Sequence, residues 1–147
     1  VRQIRTEIHI SATPEQVWAI LVDFTAYPEW NPLTPGLRGE PVAGSRLTLP
    51  TTFIPGSSVT VPMRATVEEV TPPRRLAWRS NVIARGIASS LHAFELTPDA
   101  GGTHVLHRET VTGVMAPVVW PIVSMFAPQF DQLNRKLKER AEALAAH

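Results

Sequence analysis

The chain of 147 residues has no cysteine. That absence removes disulfides, thiolate metal sites and a cysteine nucleophile together, while leaving reducing and oxidising compartments equally open. Long apolar runs are missing too. No stretch approaches the ~20 apolar residues of a bilayer-crossing helix, so no integral membrane segment is expected. Charge of one sign is also lacking: fourteen basic residues face thirteen acidic ones for a net charge of +1, and they are scattered. A nucleic-acid binder would show a basic stripe, so nucleic acid is not an expected partner. The one basic cluster, Arg135, Lys136, Lys138 and Arg140, closes a helical pattern, where the helix dipole favours cations. There is no Gly-x-Ser-x-Gly elbow, no Gly-x-Gly-x-x-Gly turn and no phosphate loop, which removes the familiar hydrolase, dinucleotide and nucleoside-triphosphate readings. Ser57-Ser58 and Ser89-Ser90 lack any such context, and no nucleophile is assigned. No repeat or low-complexity linker interrupts the chain. Its length suits one domain over residues 1–147, and without a secretory leader pattern the cytoplasm is the expected compartment.

What is present is a patterned globular sequence, 44% apolar. Residues 2–10 alternate, with Ile4, Thr6, Ile8 and Ile10 on one face and Arg5, Glu7 and His9 on the other, which predicts a half-buried strand. Ser11 and Thr13 can cap a helix, Pro14 suits its first turn, and Val17, Ile20 and Leu21 recur at helical spacing. Pro28 and Pro32 then bracket a second, brief helical turn. From residue 33 the text becomes short alternating runs between turn residues: 33–40, 45–53, 59–70, 75–80, 89–97 and 103–111. These predict six further antiparallel strands. A long amphipathic helix over 117–147 ends the chain, its stripe running through Val119, Ile122, Phe126, Phe130, Leu133, Leu137 and Leu144. Pro121 and Pro128 predict a kink or a late true start, because each removes a backbone hydrogen bond and crowds the preceding turn.

In Ile8, Ile10, Pro14, Val17, Trp18, Leu21 and the run DFTAYPEWNP, the chain resembles the START-like helix-grip superfamily, in its SRPBCC or polyketide cyclase/dehydrase-like branch. Later landmarks come in order over nearly the whole chain: PPRRLAW, the His-x-Phe-x-Leu strand from His92, GGTHVLHRETVTG and the terminal helix. The resemblance implies an α+β helix-grip fold. A seven-stranded curved antiparallel sheet would wrap a long C-terminal helix, with two short helices after the first strand. It also implies a cavity between sheet and helix that holds a small hydrophobic molecule such as a lipid, isoprenoid, quinone or aromatic polyketide.

Strand parity names the residues on the inner face. If Phe94 and Leu96 point inward, so does His92; Val105 and Val111 carry His107 and Glu109 inward and leave His104, Leu106, Arg108 and Thr110 outside. Leu49, Phe53, Met63 and Trp78 join that face from the other strands. Met115, Val119, Val123, Phe126 and Phe130 would line the helix side, and Tyr27 and Trp30 would sit near one mouth. Trp18 and Trp78 read first as core fillers, Trp30 and Trp120 equally as core or as lining. His92, His107 and Glu109 are the catalytic candidates, because a buried carboxylate beside imidazoles shifts its pKa and can act as acid or base. The commoner role for such a group is mutual hydrogen bonding that orients a ligand or ties strands together. His104 and His107 stand on opposite faces and make no chelating pair, so no metal is expected, and no cofactor either. Binding or transport of the hydrophobic molecule is the leading reading. A cofactor-free cyclase, aromatase or dehydratase is the second, and a module with a filled interior that docks a protein partner is the third.

Overall fold

The computed structural model describes residues 2–51, 58–82, 84 and 86–146. The expected alternation of the first residues forms β1 (Arg2–Ile10). Thr13 then caps α1 (Pro14–Val22): its hydroxyl accepts from the Gln16 backbone N–H, the Gln16 side chain accepts from the Thr13 N–H, and Pro14 occupies the first turn. A short 3₁₀ helix, Phe24–Glu29, carries Phe24 and Tyr27 into the core. Five more strands follow: β2 (Arg46–Thr51), β3 (Val61–Thr71), β4 (Arg75–Asn81), β5 (Ser89–Asp99) and β6 (Gly102–Thr112).

Among the described residues the sheet has six strands, not seven, in the order β1-β6-β5-β4-β3-β2, every neighbour antiparallel. The run 33–40 does not form the expected strand. It makes one bridge, Arg38 to Thr48; Pro32 and Pro35 withhold ladder donors on one side, and Gly39, at φ +138°, breaks the extended path on the other. In β3 the register shifts between Val67 and Glu69, leaving Glu68 outside the ladder beside Arg79. The sheet is curved and unclosed, so its concave face needs cover.

The cover comes from two helices rather than one, α2 (Ala116–Ser124) and α3 (Ala127–Ala145). Of the two prolines expected to disturb a single long helix, Pro121 is accommodated inside α2 and Pro128 makes the break. Without an N–H, Pro128 cannot bond back to Ser124, the last residue of α2, and it falls in the first turn of α3, where a missing donor costs nothing. At the other end of α2, Gly113 takes φ +113°, and a side chain there would collide with the Ile87 carbonyl. Only glycine lets the chain leave β6 this close to the β4–β5 loop.

α3 packs on β1 and α1. Leu133, Leu137 and Ala141 from its stripe meet Ile10, Val17, Leu21, Phe24, Tyr27 and Trp30 in the main core. Tyr27 is fully buried; its hydroxyl donates to the Leu21 carbonyl at 2.5 Å, and burial pushes its pKa up. A smaller cluster of Ala88, Val111, Ala116 and Val119 seats α2. No described helix is long and apolar enough to cross a membrane.

Candidate functional site

Between α2 and the concave face of β2 to β6 lies a cavity of about 450 Å³. Its apolar walls include Leu49, Met63 and Trp78 from the sheet, Val119 and Val123 from α2, Phe126 from the link between the helices and Phe130 from α3. Six polar side chains interrupt this apolar lining: Thr34 and Thr51 at the β2 side, and Ser80, Ser90, His92 and Glu109, the last four on β4 to β6. Strand pairing brings those four together, since Ser80 lies opposite Ser90, Trp78 opposite His92, and His92 opposite Glu109. A second hollow of about 500 Å³, edged by Glu29, Lys136, Glu139 and Arg140, is open to solvent and charged, and it lacks the apolar enclosure of the first.

The polar groups form two connected sets. Ser90 donates to Glu109 Oε1 at 2.6 Å. Behind them, the Nε2 atoms of His92 and His107 lie 2.7 Å apart, and Nδ1 of His107 is 2.9 Å from Oδ1 of Asn134. Asn134 Nδ2 donates to Thr6 Oγ1 at 2.8 Å, and Thr6 Oγ1 donates to the His107 carbonyl at 2.9 Å. Aromatic faces close the set in. His92 stacks on Trp78 at 4.7 Å, and His107 is held between Phe94 at 4.2 Å and Phe130 at 4.4 Å.

These surroundings set the charges. Burial holds His107 down to about 3, partly opposed by its bond to Asn134, and burial with the neighbouring His107 holds His92 well below its ordinary value. Both imidazoles are therefore neutral near pH 7. Burial pushes the Glu109 carboxyl up, the Ser90 hydrogen bond only partly restoring it. The cavity thus offers a neutral imidazole and a carboxyl whose pKa is raised by burial, suited to gripping the polar end of a ligand or to moving a proton.

Of the residues picked from the sequence, Leu49, Met63, Trp78, His92, Glu109, Val119, Val123, Phe126 and Phe130 line this cavity. Four others do not. His107 and Phe94 point inward as parity requires, but His92 and Phe130 cover His107, and Phe94 is stacked beneath it. Trp30 packs edge-on against Tyr27 at 5.2 Å in the main core instead of bordering this cavity, and its buried indole N–H has no partner among the described residues. Met115 is the N-cap residue of α2, 36% exposed, and does not line the cavity. Phe53 lies outside the described residues. The sequence reading missed Thr6, Ser80, Ser90 and Asn134. Ser90 and Thr6 share parity with His92 and with Ile4, and Asn134 stands four residues after Phe130 in the apolar stripe. A polar residue on an apolar face was the available signal.

The family model described as polyketide cyclase/dehydrase and lipid transport matches residues 2–142. Comparison with curated proteins finds no match. Solved structures share the fold. The di-domain aromatase/cyclase StfQ from the steffimycin biosynthetic pathway superposes with a TM-score of 0.77 at 17% identity, over 99% of this chain and 52% of that one. The protein TTHA0849 from Thermus thermophilus gives 0.72 at 18%, covering 97% of this chain and 99% of its own. MLL2253 from Mesorhizobium loti gives 0.69 at 22%, covering 93% and 97%.

Proposed function

The chain belongs to the polyketide cyclase/dehydrase and lipid transport family, and from that premise we propose that it binds or carries a small hydrophobic molecule in the cavity beneath α2. The observation that carries this reading is the cavity itself: about 450 Å³ walled mainly by aliphatic and aromatic side chains, with Ser80, Ser90, His92 and Glu109 grouped on β4 to β6. Lipids, isoprenoids, quinones and aromatic polyketides all have that division of an apolar body and a polar end. Burial of the body supplies the affinity at roughly 25 cal/mol per Å² of apolar surface, and His92, Ser90 and Glu109 orient the polar end. The open interior weighs against a partner-docking module, which would be filled.

A second reading has its own support. Glu109, its pKa raised by burial, faces the same cavity as neutral His92, the pairing a cofactor-free cyclase, aromatase or dehydratase would use on a folded polyketide-like chain.

Native mass spectrometry of the purified protein, with a denatured control and extraction of released small molecules, tests the first reading. A stoichiometric apolar passenger is expected. No passenger, together with no thermal stabilisation by lipids, quinones and polyketide mimics, would overturn it. Glu109→Gln then separates the two readings: a catalyst loses turnover and keeps affinity, whereas a carrier changes at most in affinity.

A further inference from the structure

The hydrogen bonds behind the cavity wall can be followed proton by proton, starting from Thr6. Its hydroxyl has one proton, which goes to the His107 carbonyl, so its oxygen is left to accept from the Asn134 amide N–H. That orientation turns Asn134 Oδ1 toward His107, and an amide oxygen only accepts. Nδ1 of His107 must therefore carry its proton. A neutral His107 then has a bare Nε2, and the single proton in the 2.7 Å gap belongs to Nε2 of His92. Neutral His92 is left with a bare Nδ1. Among the described residues that atom has no hydrogen-bond partner, yet the buried unpaired side-chain atoms are only Trp30 Nε1 and Gln129 Oε1. Nδ1 of His92 is thus open to the cavity that His92 lines.

We propose that Thr6 and Asn134 are positioning residues that hold His92 as its Nε2–H tautomer, so that the cavity presents a fixed acceptor and selects apolar molecules bearing a hydroxyl or phenol donor over ethers of the same shape. Neither residue lines the cavity; both act through His107. The alternative tautomer, with a proton on Nδ1, would invert the preference and favour a carbonyl or ether oxygen. An acceptor fixed on a ring nitrogen discriminates because a ligand without a donor leaves it desolvated and unpaired, whereas the Ser80 and Ser90 hydroxyls beside it can turn to donate or to accept. The selection rests on the ligand-binding reading above, whereas the tautomer chain stands on the hydrogen bonds alone.

Two measurements test it. Nitrogen-15 NMR of the histidine rings should show His107 protonated at Nδ1 and His92 at Nε2. Calorimetric titration should show 2-naphthol bound about fivefold more tightly than 2-methoxynaphthalene. In Thr6→Val, which keeps shape and loses the hydroxyl, the naphthol preference should collapse and both His107 tautomers should be seen, with methoxynaphthalene affinity unchanged; Thr6→Ser should restore the wild-type pattern. A wild-type His92 protonated at Nδ1 would overturn the proposal, and that result needs no variant to fold. Equal binding of the two probes would overturn the selection while leaving the ligand site standing. Binding of neither would overturn the ligand-binding reading and the selection with it. A Thr6→Val protein with wild-type tautomers and preference would remove Thr6 from the role.

Discussion

The two ends of the sheet's concave face are covered differently, and the difference makes the site. At one end α3 packs on β1 and α1, α1 packs in turn on β5, β6 and the 3₁₀ helix, and Leu133, Leu137, Ala141, Phe24 and Tyr27 fill the interior almost without exposure. At the other end α2 stands alone. Its inner residues Val119 and Val123 face the cavity, while Val118 and Ile122 also reach it and remain 62% and 50% exposed. Both ends are apolar; what differs is how many elements share the work of filling. Phe130 marks the boundary, its ring stacked on His107 on the packed side and bordering the cavity on the open side. A protein of this size can keep an apolar hollow only if the packed end supplies the stability the hollow forgoes.

Paired truncations should break this symmetry of composition most sharply. Leu137→Ala, fully buried at the packed end, should cost about 2–5 kcal/mol in urea unfolding. Val123→Ala, beside space already empty, should cost less than about 1 kcal/mol. Equal losses would mean that the open end is as tightly packed as the closed one.

Acid should act at the boundary. In the unfolded chain both imidazoles take a proton near pH 6.5, whereas in the fold His107 does so only at about 3 and His92 well below its ordinary value. The folded protein binds fewer protons across that window. Their contribution is therefore fully present above about pH 6.5 and is lost as pH falls, by about 1.4 kcal/mol per pH unit for each histidine. Glu109 has the opposite sign, because its raised pKa lets the folded state hold a proton above 4.5 that the unfolded chain releases. Glu109→Gln should thus steepen the fall between pH 6.5 and 4.5, measured as urea midpoints at constant ionic strength. An unchanged slope would mean that the carboxyl is not desolvated.

Filling the hollow should have the smallest effect on stability and the clearest on binding. Val123→Phe should add about 0.5–1 kcal/mol while weakening uptake of the largest hydrophobic molecules under the native mass spectrometry conditions, because the ring takes only part of the roughly 450 Å³ cavity. An affinity unchanged for ligands of every size would place the ligand elsewhere.

Local rules made much of this fold readable. Alternation in β5 and β6 assigned His92, His107 and Glu109 to the inner face, Thr13 and Pro14 announced α1, and Pro128 announced a break in the last helix. Each follows from forces acting over a few neighbouring residues: the two-residue pleat, an orphan N–H at a helix start, a missing N–H within a helix. Which inward residues reach open space was not readable. Parity put His107 and Glu109 on the same face, but Phe130 of the distant helix α3, closing over His107 together with His92, decided that His107 is sealed and Glu109 is not. Trp30 and Met115 went astray as well, one packed in the core against Tyr27 and the other at the N-cap of α2 without lining the cavity. The tautomer of His92 depends on Asn134 and Thr6, which stand 128 residues apart in the chain. Sequence pattern decided which face each side chain takes, because that is set by its own backbone; tertiary structure decided where the interior stays empty and where its protons sit, because those depend on the distance between surfaces that distant segments bring together.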